Sequence, residues 1–270
     1  MKVKSFILSN GVKIPQVGYG TWQITDEKEC VDGVLWALEA GYYHIDTAAV
    51  YKNEQFIAKA LEKTKIPRQD IFITSKLNAS KKGYDVTLEE FNETLKRLNT
   101  DYLDLYLIHA PRPWGDTSEV NYDQGNIESW KAMIDLYKQG KIKAIGVSNF
   151  DERDIENLIK ATGFVPHVNQ IKIHIGYPNK KIKEYCEANN ILVEAYCPLA
   201  NGKIFKEQEL VEFSKKYHVS LAQLAIRWCL DYNTLPLPKS VKEARIIENF
   251  KLDFKITQSD FDYLLNWQNK

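Results

Sequence analysis

Eight short apolar runs, the stretches of helical period between them and a length of 270 residues predict the fold class. They predict an α/β protein: a (β/α)8 TIM barrel with an N-terminal β-hairpin and two extra helices. Strands that alternate with helices pair in parallel, because a parallel pair needs a long crossover. At this length, closing one barrel is the economical solution. No low-complexity stretch or drop in composition marks a linker, so residues 1–270 are expected to form one domain.

The elements follow in order. Asn10-Gly11, inside "ILSNGVKIPQV", signals a hairpin turn. The apolar runs are Val17–Thr21, Tyr43–Thr47, Ile71–Leu77, Leu103–His109, Ala144–Ser148, Val168–Ile173, Leu192–Tyr196 and Leu235–Leu237. Helical spacing is plain in Lys28–Ala40 (Val31, Val34, Leu35, Leu38) and in Val86–Leu98 (Leu88, Phe91, Leu95, Leu98). It recurs from Asn53 to Leu61. Between the seventh and eighth runs there is room for two helices, around Glu207–Tyr217 and Ser220–Leu230. Another, around Ser259–Trp267, follows the helix after the eighth run. An open doubly wound sheet is the rival. Its dinucleotide fingerprint is absent, since Gly18-Tyr19-Gly20-Thr21-Trp22-Gln23 lacks the third glycine and a helix start.

Composition excludes several functions. Lysine plus arginine and aspartate plus glutamate number 36 each, which leaves no electrostatic footprint for nucleic acid or an anionic membrane. The apolar run Phe6 to Leu8 is too short for a signal-peptide core or a membrane span. Cys30, Cys186, Cys197 and Cys229 lie far apart with no CxxC pair, as reduced thiols in a cytoplasmic protein with no metal site.

Chemistry in a barrel belongs at the C-terminal ends of the strands. There the sequence places Asp46, Lys76 and His109 on three successive runs, with Tyr51 in the loop after the first of them. Taken singly, each has an ordinary explanation: a turn cap, a solvated strand end, a satisfied histidine, a packing tyrosine. Together they suggest a proton donor. A tyrosine titrates near ~10, and a neighbouring lysine cation favours the phenolate and lowers that value. Asp46 would hold Lys76 charged and aimed, and neutral His109 would hydrogen-bond a carbonyl oxygen.

"HIDTAAVYKNE", "ITSKL" and "DLYLIHAP" resemble three signature segments of the aldo-keto reductases, in the same order. The resemblance extends from "NGVKIPQVGYGTW" to "LPKSVKEARIIENF" and points to the small bacterial members, the diketogluconate and glyoxal reductase group. It implies a catalytic tetrad of Asp46, Tyr51, Lys76 and His109, and an NADPH/NADP+ cofactor stretched across the barrel mouth. In that family the positions of Ser148, Asn149 and Gln170 hold the nicotinamide carboxamide, and Tyr196 stacks on the ring. Thr21, Pro198, Leu199 and Val241 are expected along the same cofactor.

"LPLPKSVKEARIIENF" brings two cations and a hydroxyl, Lys239, Ser240 and Arg245, to a strand end and the helix after it, which suits a phosphate monoester. The resemblance assigns this lysine and arginine to the 2′-phosphate of NADPH, and Asn249 to adenine. The plain alternatives are a helix cap at Ser148-Asn149 and a solvated helix charge at Arg245. For the substrate it implies a wall of Trp22, Val50 and His109. Many members carry Trp directly after the tetrad histidine; here Ala110 leaves room, which Trp114 is expected to fill in part. Only twenty residues follow Phe250, where longer members place a specificity loop, so an open pocket is expected.

The function implied is NADPH-dependent reduction of aldehydes and ketones, α-dicarbonyls or keto-sugars among them, by a monomer acting on a small-molecule carbonyl substrate. The alternative is a non-catalytic, cofactor-sensing barrel that binds a protein partner.

Overall fold

The structure is a computed structural model that describes residues 4–268; positions 1–3 and 269–270, the ends of the expected domain, lie outside the described residues. The hairpin pairs β1 (Ser5–Ile7) antiparallel with β2 (Lys13–Pro15). Gly11, at φ 85°, supplies the left-handed residue of the turn, and its N–H donates to the Leu8 carbonyl at 2.8 Å. The hairpin closes the floor of the barrel. Leu8 and Ile14 are buried with Phe72, Val168 and Leu235, each at the start of its strand.

Eight parallel strands follow: β3 (Tyr19–Gly20), β4 (His44–Asp46), β5 (Phe72–Leu77), β6 (Leu103–Ile108), β7 (Ile142–Ser148), β8 (Val168–Lys172), β9 (Leu192–Tyr196) and β10 (Leu235–Leu237). Neighbours in sequence are neighbours in the sheet. The first strand meets the last through Gly18 and Gly20, whose N–H groups donate to Pro236 and Pro238 carbonyls at 3.1 and 3.0 Å. This brings the sheet to a nearly closed TIM barrel, the fold class the sequence predicts. Glycine is required at this seam: a Cβ on Gly18 would lie 2.5 Å from Leu237 and 2.7 Å from His44.

The helices are α1 (Glu27–Ala40), α2 (Glu54–Lys63), α3 (Tyr84–Leu98), α4 (Asp123–Lys138), α5 (Glu152–Thr162), α6 (Lys180–Ala188), α7 (Gln208–Lys215), α8 (Leu221–Asp231), α9 (Glu243–Phe250) and α10 (Gln258–Asn266). The two beyond the bare repeat are α7 and α10. Local chemistry sets their ends. Asp26 caps α1 by accepting from the Glu29 N–H, and Gly41 at φ 106° ends it. Ser220 and Gln223 form a capping box on α8. Val31, Val34 and Leu38 turn inward on α1 as their spacing predicts, whereas Leu35 is only partly buried and Ala37 is buried too; each fully buried large side chain stabilises by roughly 1.5–3 kcal/mol. Among the described residues no helix is long and apolar enough to cross a membrane, and no group of three or more His, Cys, Asp or Glu could hold a metal ion.

Strand alternation then determines what the barrel contains. On β5, Ile73 packs in the main core shared with the helices and the Ser75 hydroxyl donates to Glu54 of α2, whereas Phe72 joins the floor and Lys76 reaches Asp46. On β6, Leu105 and Leu107 join the floor cluster while Tyr106 and Ile108 face the helices.

Candidate active site

Lys76 is wholly buried, and its three ammonium hydrogens are all used. Nζ donates to Asp46 Oδ1 and Oδ2 at 2.7 and 2.8 Å and to the Thr47 carbonyl at 2.9 Å. Tyr51 sits above this pair on a 3₁₀ turn, Ala49–Tyr51, that ends at Lys52 in the left-handed region (φ 57°). Asn53 anchors the turn. It accepts from the Thr47 hydroxyl at 2.8 Å and donates to the Thr21 and Ile24 carbonyls at 2.9 and 3.1 Å. The strand-to-helix junction "HIDTAAVYKNE" thus holds an acid at the barrel interior and a phenol at its rim.

The Tyr51 hydroxyl lies 3.4 Å from His109 Nε2, and the Lys76 ammonium lies 5.3 Å from the centre of the Tyr51 ring. Burial first, then the Asp46 carboxylate, holds the phenol well above the usual tyrosine value. The expected lowering by lysine is therefore not found in this arrangement. Lys76 is matched by Asp46, so little positive field is left over, and desolvation decides the direction. Burial, with Lys76 and Lys82 behind it, holds His109 well below its usual value, so the imidazole is neutral. Trp114 packs edge-on against it, ring centres 4.6 Å apart.

A polar wall stands beside these groups. Asn149 Nδ2 donates to the His109 carbonyl and to Ser148 Oγ, each at 3.0 Å, and Tyr196 donates to Asn149 Oδ1 at 2.7 Å. Gln170 Nε2 donates to Asp46 Oδ2 at 2.9 Å and to Glu194 Oε2 at 2.7 Å. Ser148-Asn149 does not cap α5: Asp151 does, in a capping box with Asp154.

Much of this borders one cavity of about 1210 Å³, though Lys76, Asn53 and Glu194 lie buried behind its wall. Asp46, Tyr51, His109, Ser148, Asn149, Gln170 and Tyr196 line its inner end, with Trp22, Val50 and Trp114 at the rim. Those three are 43%, 38% and 57% exposed, an open apolar lip. Pro198 and Leu199 lead to the outer end, where Lys239, Ser240, Arg245 and Asn249 also line it. There α9 begins without a side-chain cap, and Arg245 and Lys239 make no ion pair among the described residues. The Glu243 and Ala244 amides at the start of α9, beside two unpaired cations, suit a phosphate, while the Arg245 N–H donates to the Lys242 carbonyl at 3.0 Å.

Two expected contacts are not brought to the cavity wall. Thr21 is fully buried, its hydroxyl given to the Asp46 carbonyl at 2.9 Å, and Val241 packs against the core. Sequence reasoning missed Glu194 and His44, both fully buried inside the barrel, and the anchor Asn53. Alternation back from Tyr196 on "LVEAY" was a usable signal for Glu194. Lys172, Cys197 and Phe205 on the wall were missed as well.

A sequence profile described as the aldo/keto reductase family matches residues 16–266. The chain is 40% identical over 256 residues to a glyoxal reductase of Bacillus subtilis, covering 94% of this chain and 89% of that one. It superposes on the crystal structure of an aldo/keto reductase from Brucella melitensis with TM-score 0.91 and 41% identity, covering 98% of both. An aldo-keto reductase of Bombyx mori in complex with NADP gives TM-score 0.88 at 30% identity, covering 98% of this chain and 92% of that one.

Proposed function

Because the chain belongs to the aldo/keto reductase family, we propose that it is an NADPH-dependent oxidoreductase that reduces aldehydes and ketones, with Tyr51 as the general acid. One observation carries the reading. The Tyr51 hydroxyl and the neutral His109 imidazole face one cavity, 3.4 Å apart, above a buried Lys76–Asp46 pair.

NADP fits the donor set of the cavity. Lys239, Arg245 and the start of α9 would hold a phosphate, Tyr196 would offer a ring face, and Ser148, Asn149 and Gln170 would meet the carboxamide. When bound, the cofactor supplies the hydride that the carbonyl carbon receives. His109 orients the carbonyl oxygen by a hydrogen bond, and Tyr51 gives its proton to that oxygen as negative charge develops on it. A phenol held well above its usual value stays protonated at neutral pH, the form a donor needs. The Asp46–Lys76 pair places a fixed dipole beneath the phenol, in a site where burial strengthens it.

The open lip of Trp22, Val50 and Trp114 suits small aldehydes, α-dicarbonyls and keto-sugars held weakly; glyoxal reductase activity in the Bacillus relative agrees with this class. Following NADPH oxidation with a panel of such carbonyls tests the assignment. Turnover with several of them supports it, and cofactor binding without turnover of any would favour a cofactor-sensing role.

A further inference from the structure

Beside the Asp46–Lys76 pair the barrel holds a second carboxyl, Glu194 of β9, fully buried. Its surroundings supply no counter-charge. From β8, Gln170 Nε2 donates to its Oε2 at 2.7 Å and gives its other hydrogen to Asp46 Oδ2 at 2.9 Å. From β5, Lys76 has all three hydrogens bonded to Asp46 and the Thr47 carbonyl. From β4, His44 Nε2 lies 3.9 Å from Oε1 but is bonded to the Thr74 hydroxyl at 2.9 Å. Burial, then Lys76, lowers His44 to about 3, so it is neutral. On β10 the residue opposite is Leu235. Oε1 has no hydrogen-bond partner among the described residues.

A buried carboxyl without a cation keeps its proton. Burial first, then Asp46, pushes Glu194 up to about 8. Tyr196 stands two residues further along the same strand, and alternation puts both side chains on one face. Glu194 therefore lies roughly 6–7 Å below Tyr196 along the strand. Tyr196 and Gln170 border the cavity above it, where the proposed function seats the nicotinamide. That ring carries a positive charge when oxidised and none when reduced.

We propose that Glu194 is the electrostatic partner of the oxidised cofactor: the nicotinamide cation supplies the counter-charge this carboxyl lacks, so binding of NADP+ breaks its O–H bond and sends the proton to solvent, whereas binding of NADPH leaves the acid intact. This rests on the reading of the cavity as an NADP site. The carboxylate in turn stabilises the cation, so the protein favours the oxidised cofactor more as pH rises. It does so without touching the carbonyl substrate. Tyr51 is held well above this range and His109 well below its usual value, so neither titrates with Glu194.

Dissociation constants of NADP+ and NADPH for the intact protein, measured from about pH 6.5 to about pH 9, test this. The 2′-phosphate titrates in both cofactors, so the ratio of the two constants reports the ring. In the wild type, the NADP+ constant divided by the NADPH constant is expected to fall about tenfold as pH rises. Glu194→Gln keeps an acceptor for Gln170 and cannot ionise, so its ratio should stay within about threefold. Calorimetry in buffers of differing ionisation heat should find about half a proton more released per NADP+ than per NADPH at about pH 7.5. Lys82, which burial lowers to about 7 where it donates to the Ala110 carbonyl, is the other group titrating nearby. Lys82→Met should therefore retain the tenfold fall, and this variant decides if Glu194→Gln does not fold. A wild-type ratio that does not move with pH overturns the proposal, as does the same fall in a folded Glu194→Gln protein or its loss in Lys82→Met. If both cofactors bind with a constant ratio, this inference alone fails; if neither binds, the cofactor reading fails and takes this inference with it.

Discussion

At the scale of single residues, the two groups proposed to act on the carbonyl oxygen are displaced in opposite directions. His109 is held down by burial and by Lys76, and Tyr51 is held up by burial and by Asp46. Lowering a base keeps the neutral imidazole to more acid pH, and raising an acid keeps the phenol to more alkaline pH. The window between them is therefore wider than their ordinary values of about 6.5 and about 10 would give. The kcat/KM for reduction is expected to stay flat from about pH 6 to about pH 8, and a midpoint inside that range would contradict the assignment. Lys76 is tested by replacement with Met. The Asp46 carboxylate would be left buried without its cation, and breaking a buried pair costs about 3–5 kcal/mol. A lowered Tm and a severe loss of reduction are expected together, and unaltered activity would show Lys76 to be a bystander.

At the scale of elements, the proposed chemistry sits at strand ends and the proposed phosphate contacts around the start of α9. All eight apolar runs form barrel strands, five of them trimmed at their ends, two unchanged and one, at β7, begun two residues earlier, because apolar content and length were enough to mark them. The hairpin was legible from its Asn10-Gly11 turn, and the extra helices α7 and α10 from the length available for them. Less legible was what lies behind a strand end. Thr21 and Val241 read as wall residues, yet one hydroxyl closes onto a backbone carbonyl and the other side chain joins the core, outcomes that depend on a neighbouring strand's exact approach. The phenol's upward shift was equally hidden, since it depends first on how completely the fold buries the hydroxyl and then on the Asp46 carboxylate nearby. At the start of α9, Arg245 and Lys239 are exposed and unpaired. If they hold the 2′-phosphate, Arg245→Ala loses a charge-assisted contact of roughly 1.5–3 kcal/mol, or about ten- to a hundredfold in NADPH affinity. NADH affinity should hardly change, and titration of both cofactors measures the difference. An equal loss for both would move the arginine to the fold or to the pyrophosphate.

At the scale of the whole molecule, the barrel encloses a polar core of Asp46, Lys76, Gln170, Glu194, His44 and Thr74 beneath the cavity. This core makes stability depend on pH. Glu194 is raised from its usual 4.5 to about 8, so between those values the unfolded chain releases a proton that the folded protein keeps, and stability falls as pH rises. His44, lowered from 6.5 to about 3, acts in the opposite sense and costs stability as pH falls through that window. Glu194→Gln removes the first effect, so its Tm should decline less than the wild type's between about pH 5 and about pH 8; parallel curves would count against the buried acid. The central claim is that this frame exists to hold a proton donor at the barrel mouth. The most direct measurement compares wild type with Tyr51→Phe, following NADPH oxidation with a small aldehyde beside the dissociation constant for NADP+. The account predicts that NADP+ affinity stays within about threefold while carbonyl reduction falls by about a hundredfold or more. Near-normal turnover in Tyr51→Phe would contradict it.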